Sequence, residues 1–82
     1  MPLKLLFLGK LADLAGGREQ AVDPADKMDW AGLMACLAPD LADALETNKV
    51  RVAVNGTLVS DTYALLVADG DEIAFLPPVS GG

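Results

Sequence analysis

The sequence predicts an α+β fold in which a mixed sheet of about five strands lies over one main helix. Three observations carry this. Trp30, Leu33, Met34 and Leu37 recur at i, i+3, i+4 and i+7, the apolar stripe of an amphipathic helix. Val50, Val52 and Val54 alternate with Arg51 and Ala53 and run into Asn55-Gly56. That pair is a strong hairpin signal, because both residues tolerate the positive φ of a type I′ turn. Finally, strand-like segments outnumber helical ones along a chain of 82 residues, a length that suits one domain with one core.

Each element follows from its residues. Residues 3–8, Leu-Lys-Leu-Leu-Phe-Leu, are too few for a helix and read as a buried strand, with Lys4, Leu6 and Leu8 sharing the face nearer solvent. Lys10 to Ala15 places Leu11 and Leu14 one turn apart, and Gly16-Gly17 stops that short helix. No Lys-Ser/Thr follows the glycines to make a phosphate loop. Residues 18–22 read as a weak second strand. Asp29 is placed to cap a helix through residues 30–38, which Gly32 weakens and Pro39 ends. Asp40 is placed to cap a second, shorter helix with Leu41, Ala44 and Leu45 inward. After the hairpin, residues 57–60 return as its partner strand and Asp69-Gly70-Asp71 turns the chain. Glu72 to Leu76 forms the last strand, with Ile73 and Phe75 on one face and Ala74 and Leu76 on the other. No repeat and no low-complexity linker divides the chain.

Composition excludes several functions. Six Lys and Arg against twelve Asp and Glu give a net charge of −6. That balance disfavours a nucleic-acid partner, whose phosphates are neutralised by Lys and Arg, and an anionic membrane surface. It suits a partner with a basic face. With one cysteine and no histidine, the chain holds no disulfide framework, no Ser-His or Cys-His pair and no Cys/His zinc site, so no metal site is expected. Cys36, between Leu33 and Leu37, is expected to be buried as a small core hydrophobe; a sulfur relay would need exposure and a positive neighbour. Asp69, Asp71 and Glu72 read as a solvated turn, since no further spaced ligands follow. The apolar run at residues 5–8 is too short for a signal-peptide core or a membrane span, and a cytoplasmic protein is the expectation.

The chemistry is expected at the end of the chain. Residues 1–76 form the domain and residues 77–82 a tail, and no side chain after Glu72 is charged. Pro77-Pro78 forbids a helix or a central strand and favours an extended path. The six tail residues reach roughly 20 Å. Gly81-Gly82 has no side chains to block a narrow channel, and its tip offers an α-carboxylate with a pKa of about 3.5. Residue chemistry leaves two readings open: a frayed terminus or cloning remnant, and a tail meant to enter a partner.

The segment Asp69-Gly70-Asp71-Glu72-Ile73-Ala74-Phe75-Leu76-Pro77-Pro78-Val79-Ser80-Gly81-Gly82 resembles the C-terminal signature of the small subunits of molybdopterin synthase, a family of ubiquitin-like β-grasp sulfur carriers. Val52-Ala53-Val54-Asn55 resembles the family's central strand and Asn turn, and Phe7 to Gly16 resembles its first strand and helix. The likeness covers nearly the whole chain, although residues 18–49 are generic. Ala12 stands where many members carry Arg, Leu76 stands where they carry a bulky aromatic, and residues 61–68 are slightly longer than usual.

The resemblance implies a ubiquitin-like β-grasp fold and a carrier chemistry. An ATP-dependent adenylyltransferase would convert the Gly82 carboxylate to a transient acyl-adenylate, the one nucleotide contact, with no permanently bound cofactor. A sulfurtransferase would supply the sulfur of a C-terminal thiocarboxylate. The slender end, Gly81 and Gly82, would enter the large synthase subunit in a 2:2 heterotetramer. There it would give sulfur to a cyclic pterin precursor, forming the molybdopterin dithiolene, with the catalytic side chains on the large subunit. Pro77, Pro78, Val79 and Ser80 would line the partner's channel. Leu8, Leu58 and Leu76 would form an apolar docking patch, core packing or incidental exposure being the other reading. Carriers for thiazole synthesis or tRNA thiolation, and ubiquitin-like protein modifiers, are the alternatives within this fold; Pro-Pro-Val-Ser ahead of Gly-Gly favours molybdopterin.

Overall fold

Two strands from opposite ends of the chain lie side by side at the centre of the molecule. The structure, a computed structural model, describes residues 2–23, 27–46 and 50–77, the side chain of Tyr63 apart. Strand β1 (Leu3–Phe7) pairs in parallel with β7 (Glu72–Leu76), and its other edge pairs antiparallel with β2 (Glu19–Val22). The far edge of β7 pairs antiparallel with β4 (Arg51–Val54), which forms a hairpin with β5 (Thr57–Val59). The order β2-β1-β7-β4-β5 is the expected five-stranded mixed sheet.

Alternation decides which face is buried. Leu3, Leu5 and Phe7 of β1, Ile73 and Phe75 of β7 and Val52 of β4 all point into the core. The register sets Phe7 opposite Phe75 and Phe75 opposite Val52. The two phenyl rings stack with centroids 5.3 Å apart, and Trp30 tilts against Phe75 at 6.3 Å. Truncating a core aromatic of this kind costs about 3–5 kcal/mol.

Helices cover that face. The short helix α1 (Lys10–Ala15) buries Leu11 and stops at Gly16, which takes the left-handed φ of 81°. Helix α2 (Trp30–Ala35) buries Trp30, Leu33 and Met34, and the Asp29 carboxylate caps it, accepting from the Gly32 N–H at 2.8 Å. The expected helix over 30–38 ends earlier than its stripe. The N–H groups of Cys36 and Leu37 donate to Leu33 and Met34 at 3.1 Å, a tightened last turn. Ala38, restricted by the proline after it, is extended at ψ 145°. Leu37 stays buried, but Cys36 is exposed, contrary to expectation. At 100° per residue Cys36 falls well off the Trp30–Leu33–Met34–Leu37 stripe, and its place at the helix end gives it no cover. Asp40 is likewise not a cap. Pro39 opens helix α3 (Pro39–Leu45) as its first residue, Ala38 is the cap position, and Asp40 sits in the first turn, where a negative charge suits the helix dipole.

Between the hairpin and β7 lie a 3-10 turn (Thr62–Ala64) and β6 (Leu66–Val67), which pairs antiparallel with β3 (Met28–Asp29). Strands of two residues leave no alternation to read in the sequence.

The Asn55-Gly56 turn has the expected positive φ at both residues, 51° and 86°. It is tied to the start of β7. The Asn55 side-chain amide donates to Asp71 at 3.1 Å, while its carbonyl oxygen accepts from the Glu72 N–H at 3.0 Å. The other Asp71 oxygen accepts from the Ala68 N–H at 2.9 Å. The Ala68 bond first, and the Asn55 bond second, hold the Asp71 carboxyl below its ordinary pKa. A depressed carboxyl stabilises the fold above its ordinary pKa, and that contribution is lost as the pH falls through the folded value. Thermal melts should therefore show the wild-type midpoint dropping as the pH falls below the ordinary carboxyl pKa of about 4, with a shallower drop in Asp71→Asn. Parallel acid limbs in the two chains would show that this network carries none of the acid sensitivity.

Candidate functional site

Among the described residues, the helices pack on the inner face of the sheet and none covers the outer one. Reading the register across it gives one row: Glu19 on β2, Leu6 on β1, Ala74 on β7, Ala53 on β4 and Leu58 on β5. The next row towards the end of β7 holds Leu76 opposite Arg51. Beyond the last paired residue of β1, the Leu8 N–H donates to the Phe75 carbonyl at 3.2 Å, which holds Leu8 beside β7. The row on the other side is charged: Lys4 lies opposite Glu72, and its ammonium is 3.4 Å from Glu19.

Side-chain size shapes this surface. Ala74 and Ala53 make a low floor, and leucines rise around it. Leu8 is 45% exposed and Leu58 60%, so neither contributes much to the core. Leu76 is half-buried. Of the expected site residues, Leu8, Leu76 and Pro77 are brought together at one end of the sheet. Leu58 is not adjacent to them; it lies on β5, three strand spacings or about 14 Å from β1. Leu6, Ala53 and Ala74 complete the face between them. Alternation already sets Ala74 beside Leu76 and Leu6 beside Leu8, but small side chains draw no notice in a sequence. Two other exposed leucines, Leu14 and Leu66, sit on α1 and on the β3–β6 sheet.

The tail leaves from the last residue of a central strand. Pro77 is half-buried, and its ring lies over Gly9, where an added Cβ would come within 2.9 Å of the Pro77 Cγ. Gly9 takes φ 57° and ψ −133°, a conformation reserved for glycine, and caps α1. Nothing in the sequence distinguishes Gly9 from any glycine between a strand and a helix. The other expected tail residues, Pro78, Val79, Ser80, Gly81 and Gly82, lie outside the described residues.

The face is therefore open and largely apolar among the described residues. It offers leucine and alanine with Lys4, Glu19 and Glu72 at one edge and Arg51 beside the tail root. Among the described residues no group of three Cys, Asp or Glu side chains is placed to hold a metal, and no helix is long and apolar enough to cross a membrane. The exposed Cys36 belongs to the helical layer on the opposite side of the sheet.

A mixed sheet with parallel first and last strands, helices on one face and an open apolar face on the other defines the ubiquitin-like β-grasp class. Comparison with solved structures agrees: the crystal structure of SAMP1 from Haloferax volcanii superposes with a TM-score of 0.76 at 26% identity, covering both chains fully. The chain belongs to the ThiS family, whose model matches residues 5–82. It is 42% identical to the "Molybdopterin synthase sulfur carrier subunit" of Escherichia coli (strain K12), over 98% of this chain and 99% of that one. It is also similar to a chain in the "Protein-protein complex of subunit 1 and 2 of Molybdopterin-converting factor" from Helicobacter pylori 26695. There the TM-score is 0.66 and the identity 26%, with both chains fully covered. The family and fold expected from the sequence are borne out.

The exposure of Leu58 predicts a separation of effects. Leu58→Ser should change unfolding free energy by no more than about 0.5 kcal/mol, as for other surface positions. Val52→Ala, one residue before Ala53 but buried, should cost about 1–3 kcal/mol. Denaturant titration of the two variants measures this, and a Leu58 cost equal to that of Val52 would mean that Leu58 belongs to the core.

Proposed function

We propose that this chain is the sulfur-carrier subunit of a molybdopterin synthase and that its working group is the carboxyl of Gly82. One observation carries the reading: an uncharged Pro-Pro-Val-Ser-Gly-Gly end leaves the central strand of a β-grasp domain beside an open apolar face. Full-length similarity to the carrier of Escherichia coli supports it.

The chemistry follows from what a carboxylate lacks. It is a poor acyl donor until one oxygen becomes a leaving group. An ATP-dependent adenylyltransferase attaches AMP to that oxygen and releases pyrophosphate. A sulfurtransferase supplies the sulfur that displaces AMP, leaving a thiocarboxylate. The large synthase subunit admits the tail, and the thiocarboxylate gives its sulfur to the cyclic pterin precursor and returns to a carboxylate. Two charged carriers serve each dithiolene, because the product holds two sulfurs. A chain without histidine fits a division in which the large subunit supplies the catalytic side chains. The pair assembles as a 2:2 heterotetramer in the cytoplasm. Leu8, Leu58 and Leu76, with Leu6, Ala53 and Ala74 between them, dock the partners, and Pro77, Pro78, Val79 and Ser80 thread the channel.

Similarity to SAMP1 favours a second reading, a protein modifier joined to lysines through Gly82. Intact-mass analysis separates the two. Incubation with the adenylyltransferase, ATP and a sulfur donor should add the mass difference between sulfur and oxygen at Gly82, and reconstitution with the large subunit should yield dithiolene. Deleting Gly82 should abolish both products and leave the thermal midpoint unchanged. Lysine conjugates without a thiocarboxylate species would establish the modifier instead.

Leu76→Ala should weaken binding to the large subunit about 10-fold, or about 1.4 kcal/mol. Its cost to folding should stay near 1 kcal/mol, since the side chain is half-buried. Titration calorimetry and thermal melts compare the two effects, and a loss confined to stability would remove Leu76 from the docking surface.

A further inference from the structure

We infer that Gly9 is a positioning residue for the C-terminal tail: it is the floor on which the Pro77 ring rests, and so fixes the direction in which the tail leaves the sheet. The functional consequence rests on the sulfur-carrier reading; the geometry does not.

Pro77 is held from both sides. Behind it, Leu76 is still paired in the sheet, and the Leu8 N–H closes on the Phe75 carbonyl at 3.2 Å. The backbone leading into Pro77 is thereby fixed. Beneath it, the Cγ of the ring lies where any side chain at Gly9 would begin, 2.9 Å from an ideal Cβ, with ring Cβ and Cδ at 3.9 Å. A Cβ at Gly9 would force one of the two surfaces to shift. The proline ring locks the Pro77 φ, so its Cγ can yield only by a change of ring pucker. Gly9 is anchored below by α1, with the Leu11 N–H donating to Leu8 and the Ala12 N–H to Gly9, both at 3.1 Å. Its φ of 57° and ψ of −133° already require glycine. In the sequence Pro77 is followed by a second proline, a residue type whose ring restricts the backbone. A tail aimed before binding loses less freedom when it enters a channel, and misplacement by about 1 Å can cost on the order of 100-fold in an oriented reaction.

The test is a double-mutant cycle on the full chain: wild type, Gly9→Ala, Pro77→Ala and the double variant. Each is titrated against a molybdopterin synthase large subunit and melted alone. Gly9→Ala should weaken binding roughly 10-fold or more while Pro77 is present, and about 2-fold or less once Pro77→Ala has removed the colliding ring atoms. A purely structural role for Gly9 would give the same loss in both backgrounds, tracking the thermal midpoint, and would overturn the inference. The free protein gives a reading independent of any partner. Wild type should show nuclear Overhauser contacts from the Gly9 Hα protons to the Pro77 ring, and Gly9→Ala should shift the amide signals of residues 76 and 79–82 but not those of the 51–59 hairpin. Absence of those contacts overturns the inference even if Gly9→Ala fails to fold. If wild type shows them but does not bind the large subunit, the sulfur-carrier reading fails and the positioning role stands.

Discussion

The parallel pairing of β1 with β7 is the constraint on which the rest of the molecule depends. It sets Leu5 against Ile73 and Phe7 against Phe75 on the inner face, where the helices close over them. The same register sets Leu6 against Ala74 on the outer face. Core and open face are two sides of one ladder, and a one-residue slip would exchange them. The pairing also fixes the exit of the tail, because β7 has neighbours on both edges and its last residue cannot wander.

The residues carry the fold in very different degrees. The Asn55-Gly56 hairpin, the Asp29 cap and the Gly16 stop are legible because each depends on one or two residues with a particular backbone preference. Strands β1, β4 and β7 are legible from their apolar runs and alternation, β5 from the Asn-Gly turn before it, and β2 only weakly. The β3–β6 ladder is not, since two residues have no period, and the break at Ala38 required Pro39 to act twice, ending one helix and opening the next. Cys36 was misread because a position between two core leucines in sequence is not between them on the helix. Of the candidate site, the leucines at Leu8 and Leu58 stand out, but the alanines that join them and the glycine under Pro77 do not. A floor is made by absent atoms, and a sequence marks only the atoms present.

Charge and shape divide the molecule by task. All twelve acidic side chains fall between Asp13 and Glu72, and the tail beyond them carries none. An acidic body repels its own copies and suits basic partners, whereas a tail without charged side chains leaves its terminal carboxylate as the one charge to be stripped of water. The open face has alanine at its centre, Ala53 beside Ala74, so it offers less apolar area than a row of leucines would.

The β1–β7 ladder has one further consequence, in time. Its strands are the first and the last in the sequence, so the central pairing cannot form until nearly the whole chain has been made. Loop closure over that span is slow compared with the formation of local hairpins and helices. A chain interrupted before residue 72 lacks the strand that every other element packs around or pairs beside. The same strand that completes the fold carries the tail, so a carrier that displays its end in the correct direction is also one that has been synthesised through and folded. A partner touching both the sheet face and the tail would therefore meet only chains made through to their last strand.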